Sequence, residues 1–146
     1  MRIFISYARE DLEAARELFL KLKAAGYEPW MDKPPAPYQN EGILPGQRWR
    51  PVIEAKIRSA DLMILMLSNV SVSKQGFVQQ EFRLSLHMMG EMPPDKVFAV
   101  PVLLEPCEPP ALTAGTVTLS ELQWTMIYEI GLDEFVASIA YLNKPS

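Results

Sequence analysis

"DLMILMLS", residues Asp61 to Ser68, is the most apolar run in the chain. Leu62 to Leu67 show no polar alternation. Such a run reads as a strand buried on both faces, the kind found at the centre of a parallel sheet. A parallel sheet needs crossover helices, and the flanking sequence supplies them. Upstream, "QRWRPVIEAKIRSA" (47–60) sets Trp49, Ile53 and Ile57 along one helical face. Pro51 falls in its first turn, where a missing N–H does no harm. Downstream, "GFVQQEFRLSLHMMG" (76–90) reads as a helix ending at Gly90.

The same alternation extends in both directions. "RIFIS" (2–6) is a short buried strand, and Asp11 stands where it caps a helix carrying Ala14, Ala15, Leu18, Phe19 and Leu22. Gly26 closes that helix. "YEPWMD" (27–32) is a second strand, placed at a sheet edge by Pro29. "KPPAPYQNEGILPG" (33–46), with four prolines and two glycines, is a long loop of the functional or mobile kind. "KVFAVPVLL" (96–104) is a fourth strand, and a weaker fifth lies within "TVTLSELQWT" (116–125). "GLDEFVASIAYLN" (131–143) closes the chain as a helix with Leu132, Phe135, Val136, Ile139 and Ala140 as its apolar stripe. The expectation is an α/β, flavodoxin-like three-layer fold: a five-stranded, mainly parallel sheet in the order 2-1-3-4-5, helices on both faces.

Bulk properties narrow the function. At 146 residues the chain suits one domain, 1–146. Its end, "YLNKPS", leaves room for a further domain. Apolar residues at 49% and charged residues at 22% describe a globular chain rather than a disordered one. A net charge of -4 without a block of Lys and Arg argues against a nucleic-acid surface. No apolar run approaches the roughly 20 residues that span a bilayer, and the start does not read as a secretory signal. A cytoplasmic protein without membrane or nucleic-acid partners is expected. Cys107 is the only cysteine and reads as an inert loop thiol. The methionines Met63, Met66, Met88 and Met89 read as core and helix end, and neither a metal nor a cofactor is expected.

In a 2-1-3-4-5 sheet, ligands bind beyond the C-terminal strand ends, where strand order reverses. That rule gathers Ser6, Tyr7 and Arg9 after the first strand, the 33–46 loop, and Glu81 after the third. Glu81 follows the polar lead-in of "SKQGFVQQEF" (73–82). From local sequence it reads equally as a solvated helix residue or as a working group. Phe77, four residues earlier, shares its helical face and reads as core or as part of the site. Trp30 and Asp32 read as structural.

"FISYARED", "AGYEPWMD", "LPGQRWRPVIEAKIRSADLMILMLS" and "SKQGFVQQEF" together resemble the Toll/interleukin-1 receptor (TIR) domain family in order and spacing, and "VFAVPVLLEPCEPP" resembles a late strand of bacterial members. The resemblance covers nearly the whole chain. Some members of the family are adaptors that only assemble with one another, and others cleave NAD at the nicotinamide–ribose bond. In the enzymes an essential glutamate follows the third strand in a pattern like Trp-Cys-x-x-Glu-Leu. The match here is Phe77-Val78-Gln79-Gln80-Glu81-Phe82. The resemblance therefore implies an NAD+ nucleosidase or cyclase that acts on NAD+ as substrate and yields ADP-ribose or a cyclic isomer. It also implies a role in bacterial antiphage defence. Glu81 would be catalytic, and Phe77, Ser6, Tyr7, Arg9, Trp49 and Glu41 would contact substrate. The 33–46 loop matches the family's BB loop, which implies TIR–TIR self-association through it and an activating domain or partner protein.

Two other readings compete. One is a non-enzymatic adaptor or virulence module of the same family. The other is a response-regulator receiver, which shares the strand order but needs a phosphoacceptor aspartate where Ser68 ends the third strand.

Overall fold

The computed structural model of the chain describes residues 1–73, 77–110 and 112–142, with the side chains of all but 77–79. The turn expected at Gly76 lies outside the described residues.

Four strands make up most of the sheet: β1 (Arg2–Ser6), β2 (Glu28–Trp30), β3 (Leu62–Leu67) and β4 (Ala99–Leu103). All six residues of β3 are buried, as are all five of β4. Side-chain alternation divides them between two cores. Leu62, Ile64 and Met66 join Ile3 and Ile5 beneath Leu18, Phe19 and Leu22 of helix α1 (Leu12–Ala24). Met63, Leu65 and Leu67 join Phe4 on the other face, with Ile53 and Ile57 of α2 (Trp49–Ser59). A five-residue helix, α3 (Asn69–Ser73), leads out of β3, and α4 (Phe77–Gly90) adds Phe82 and Leu86 to that second core. The sheet is parallel throughout, with Ser6 opposite Leu65 and Leu67 opposite Leu103.

Backbone direction explains two prolines inside strands. The N–H and C=O of one strand residue point to the same side, and that side alternates. Glu28 N–H donates to the Met1 carbonyl, just before β1, so Pro29 turns its side without an N–H to the outer edge. This is the edge position expected for β2. In β4, the Phe98 carbonyl and the Leu104 N–H both bond to β3, so Pro101 faces away from it. On that far side pairing begins only at Val102.

The fifth strand begins at the very end of the stretch expected to hold it. Within 116–125, Val117–Thr118 (β6) pairs antiparallel with Thr113–Ala114 (β5) as a separate hairpin, turned at Gly115 with φ +61°. The sheet's fifth strand is β7 (Thr125–Met126), giving the order β2-β1-β3-β4-β7. Only two residues pair with β4 there, too few to leave a pattern in the sequence. The closing segment is two helices, α5 (Ile127–Ile130) and α6 (Leu132–Ile139), separated at Gly131 with φ +85°. Phe135, Val136 and Ile139 are buried as expected, whereas Ala140, just past the helix end, is exposed and drops out of the expected stripe. No helix among the described residues is long and apolar enough to cross a membrane.

Candidate functional site

The C-terminal end of β1 supplies the first polar group. Ser6 is buried, and its Oγ donates to Glu81 Oε1 at 2.8 Å. Glu81 itself is only 9% exposed, so it is not a solvated helix residue. Burial raises its pKa from the ordinary 4.5 to about 8, the Ser6 hydrogen bond works against that rise, and the negative charge of Asp32 adds to it. At neutral pH Glu81 is therefore held mainly as the neutral acid.

Tyr7, the next residue, donates its hydroxyl to Asp32 Oδ1. Burial, then the Asp32 hydrogen bond and charge, pushes the phenol's pKa well up, so it stays a donor. Both carboxyl groups open into one cavity of about 520 Å³. Phe4, Trp30, Ile43, Trp49 and Ile53 form its apolar wall, and Tyr7, Arg9, Asp32, Lys33 and Glu81 its polar one. That volume and lining suit part of a small organic ligand. Trp30 is fixed in the wall by Phe4, whose ring lies 5.2 Å away centroid to centroid.

Of the residues expected at the site, Ser6, Tyr7, Arg9, Trp49 and Glu81 are brought together. The side chain of Phe77 lies outside the described residues. Glu41 stands elsewhere: its carboxylate pairs with Lys23 of α1 at 2.9 Å, beside a second cavity of about 380 Å³. Asp32 and Trp30, read from the sequence as structural, also line the cavity, together with Lys33 of the expected 33–46 loop. The rule that gathered Ser6 and Tyr7, the C-terminal strand end, applies equally to β2 and points to Asp32 and Trp30.

The cavity spans the ends of β1 and β2 and reaches Glu81, which follows β3. Beside it, hydrogen bonds tie down the end of β3. Ser68 Oγ donates to Asp11 Oδ2 at 2.6 Å, and the Ser68 N–H donates to Ser71 Oγ at 2.8 Å. Asp11 is thus engaged with β3's end, and its side chain caps no helix.

The 33–46 loop forms the rim. Its neck closes where Ile43 N–H donates to the Asp32 carbonyl at 3.0 Å, which holds Ile43 and Asp32 at the cavity together. Further in, Arg16 Nε donates to the Lys33 carbonyl at 3.0 Å and Trp30 Nε1 to the Glu41 carbonyl at 2.9 Å. Tyr38 lies against Phe19, with Lys23 over its ring at 4.6 Å. The Lys23–Glu41 pair is partly exposed, and such pairs contribute little. Lys23→Ala is accordingly expected to cost no more than about 1 kcal/mol in denaturant unfolding and to leave the loop closed to limited proteolysis. Loop opening in that variant would show the ion pair, not the neck, to be the fastener.

Among the described residues no group of three or more His, Cys, Asp and Glu is placed to hold a metal ion. The arrangement is an aromatic-walled cavity with a buried carboxyl. A family model described as a TIR domain matches residues 3–136. No curated protein matches the chain.

Proposed function

Since the chain belongs to the TIR domain family, whose members serve in signalling or NAD cleavage and self-associate, we propose that it is an NAD+ glycohydrolase of the bacterial type. The observation that carries this reading is Glu81: a carboxyl buried in an aromatic-walled cavity, held by Ser6 at 2.8 Å. Glycoside cleavage ordinarily takes two carboxyl groups, one to protonate the leaving group and one opposite it. Nicotinamide in NAD+ is a pyridinium cation and departs neutral, carrying the bonding pair, so no acid is needed. The positive charge that develops on the ribose is stabilised by an ionised Glu81. Water then adds to give ADP-ribose and a proton, or an adenine nitrogen of the same molecule adds to give a cyclic isomer.

The proton on Glu81 sets the pH dependence. The cationic ring favours the carboxylate, so its arrival lowers the pKa of Glu81. The free enzyme requires deprotonation near pH 8, so kcat/KM should climb as pH rises toward that value, about tenfold per unit below it. The rising limb of kcat should sit at lower pH, because it reports the occupied site. Nicotinamide release followed from pH 5.5 to 9.5 checks both. A kcat/KM that is flat across this range would remove Glu81 ionisation from the mechanism.

Self-association through the 33–46 loop, activation by a further domain or partner, and a role in antiphage defence belong to the same proposal. Leu44 and Trp49, 40% and 47% exposed, stand at the loop's exit as apolar surface that a second copy would cover. This surface also favours a second reading, an assembly module without turnover. That reading requires NAD+ to remain intact in every oligomeric state.

A further inference from the structure

The cavity holds two carboxyl groups, and the proposed reaction uses one. The end of β1 serves both, through Ser6 to Glu81 and Tyr7 to Asp32. Among the described residues no Lys or Arg closes an ion pair with either. Arg9 and Lys33 also line the cavity, and neither comes within ion-pair distance of Glu81 or Asp32. Asp32 has no place in bond cleavage as described, yet it is locked twice: its side chain by Tyr7, its carbonyl by Ile43 N–H at 3.0 Å. A group fixed this firmly in a cavity wall acts on whatever enters.

Two carboxyl groups beside the aromatic wall of Trp30, Trp49 and Phe4 favour a flat cation over a neutral molecule of the same shape. We infer that Asp32 is a specificity-determining residue which, on the reading that this cavity takes NAD+, selects the oxidised, cationic dinucleotide over its neutral reduced form. The two forms share their diphosphate and both riboses. Recognition of those parts cannot separate them, and the charge on the nicotinamide ring can.

Glu81 reinforces the selection, since it must give up its proton to add a second negative charge. The titratable groups facing it are Tyr7 and Arg9 after β1, and Asp32 and Lys33 after β2. α2 presents Trp49 and Ile53, which do not titrate, and β4, β5 and β6, packed on α4, carry no titratable side chain. Asp32 is thus the anion that Glu81 meets, and the affinity for a cation rises with pH while that for a neutral ring does not.

The test binds the ring alone, so it does not require turnover. 1-Methylnicotinamide, a fixed cation, and neutral nicotinamide are each titrated into the protein at pH 6 and pH 8.5, with tryptophan fluorescence reporting through Trp30 and Trp49. The wild type is expected to hold the cation about tenfold tighter than the neutral ring at pH 8.5, and less so at pH 6. Asp32→Asn keeps the shape and an acceptor for Tyr7. It should reduce the cation-to-neutral ratio about fivefold and leave nicotinamide affinity unchanged. An unchanged ratio, equal loss of both rings, or no cation binding at millimolar concentration overturns the inference. NAD+ turnover measured alongside separates the two claims. Asp32-dependent selectivity without turnover sinks the glycohydrolase, and turnover with Asp32-independent selectivity sinks this inference.

Discussion

Glu81→Gln is expected to abolish nicotinamide release, by about three orders of magnitude or more, while making the protein more stable at alkaline pH. The two effects have one cause. The glutamine side chain is neutral and close in shape to the protonated acid, so Ser6 keeps a partner and Phe82 beside it stays buried in the core. What disappears is the ability to become an anion when positive charge develops on the ribose. The stability change follows from the same proton. In the folded protein Glu81 keeps its proton up to about pH 8, whereas the unfolded chain releases it near 4.5. Between those values the folded state binds more protons, so stability from this group is fully present below about pH 4.5 and falls as pH rises to 8. Glu81→Gln removes that dependence. It should gain roughly 2 kcal/mol over the wild type at pH 8.5 and little at pH 4.5, read from denaturant midpoints. A variant equally inactive but destabilised at pH 8.5 would mean that Glu81 is ionised in the empty site.

Gly42→Ala is expected to be the most damaging single change outside that residue. The φ of Gly42 is −88°, a value open to any amino acid, so backbone freedom is not the reason for glycine. Space is. A Cβ at this position would lie 2.3 Å from the Asp32 carbonyl oxygen and 2.5 Å from Pro34 Cδ. Neither atom is the free end of a flexible chain, so the neck must open. The Ile43–Asp32 hydrogen bond goes with it, and Ile43, Asp32 and Lys33 leave their places in the cavity wall. Overpacking of this kind and the lost bond together cost about 2–4 kcal/mol. Turnover should fall by about tenfold to a hundredfold, since misplaced groups act from the wrong distance. Limited proteolysis within 33–46 and steady-state kinetics report the two consequences. A variant with a closed loop and wild-type turnover would show that the neck does not organise the site.

These residues also mark how far the sequence could be read. β3 was legible because six buried apolar residues admit almost no other assignment. β2 was legible as an edge because Pro29 leaves one side of the strand without a donor. The two-residue β7 was not, since its place depends on where the prolines of 104–115 deliver the chain. Ser6, Tyr7 and Glu81 were found through topology. Asp32 and Trp30 escaped because the rule was carried past the second strand only to the 33–46 loop and not to the strand's own end. One contact that no local pattern reveals is Ser68 bonded to Asp11, 57 residues away. Gly42 sits in a loop whose prolines drew attention, yet its reason for being glycine is a carbonyl ten positions earlier.

The measurement that bears most directly on the whole account is the fate of NAD+ incubated with the wild-type chain. It should be followed by mass spectrometry at pH 8 over a range of protein concentrations that carries it into self-association. The expected result is nicotinamide and an ADP-ribose product, linear or cyclic, formed in equal amounts and rising steeply once the chain assembles. NAD+ left intact at every concentration, with the assembled state confirmed, would contradict the account and leave the chain an assembly module.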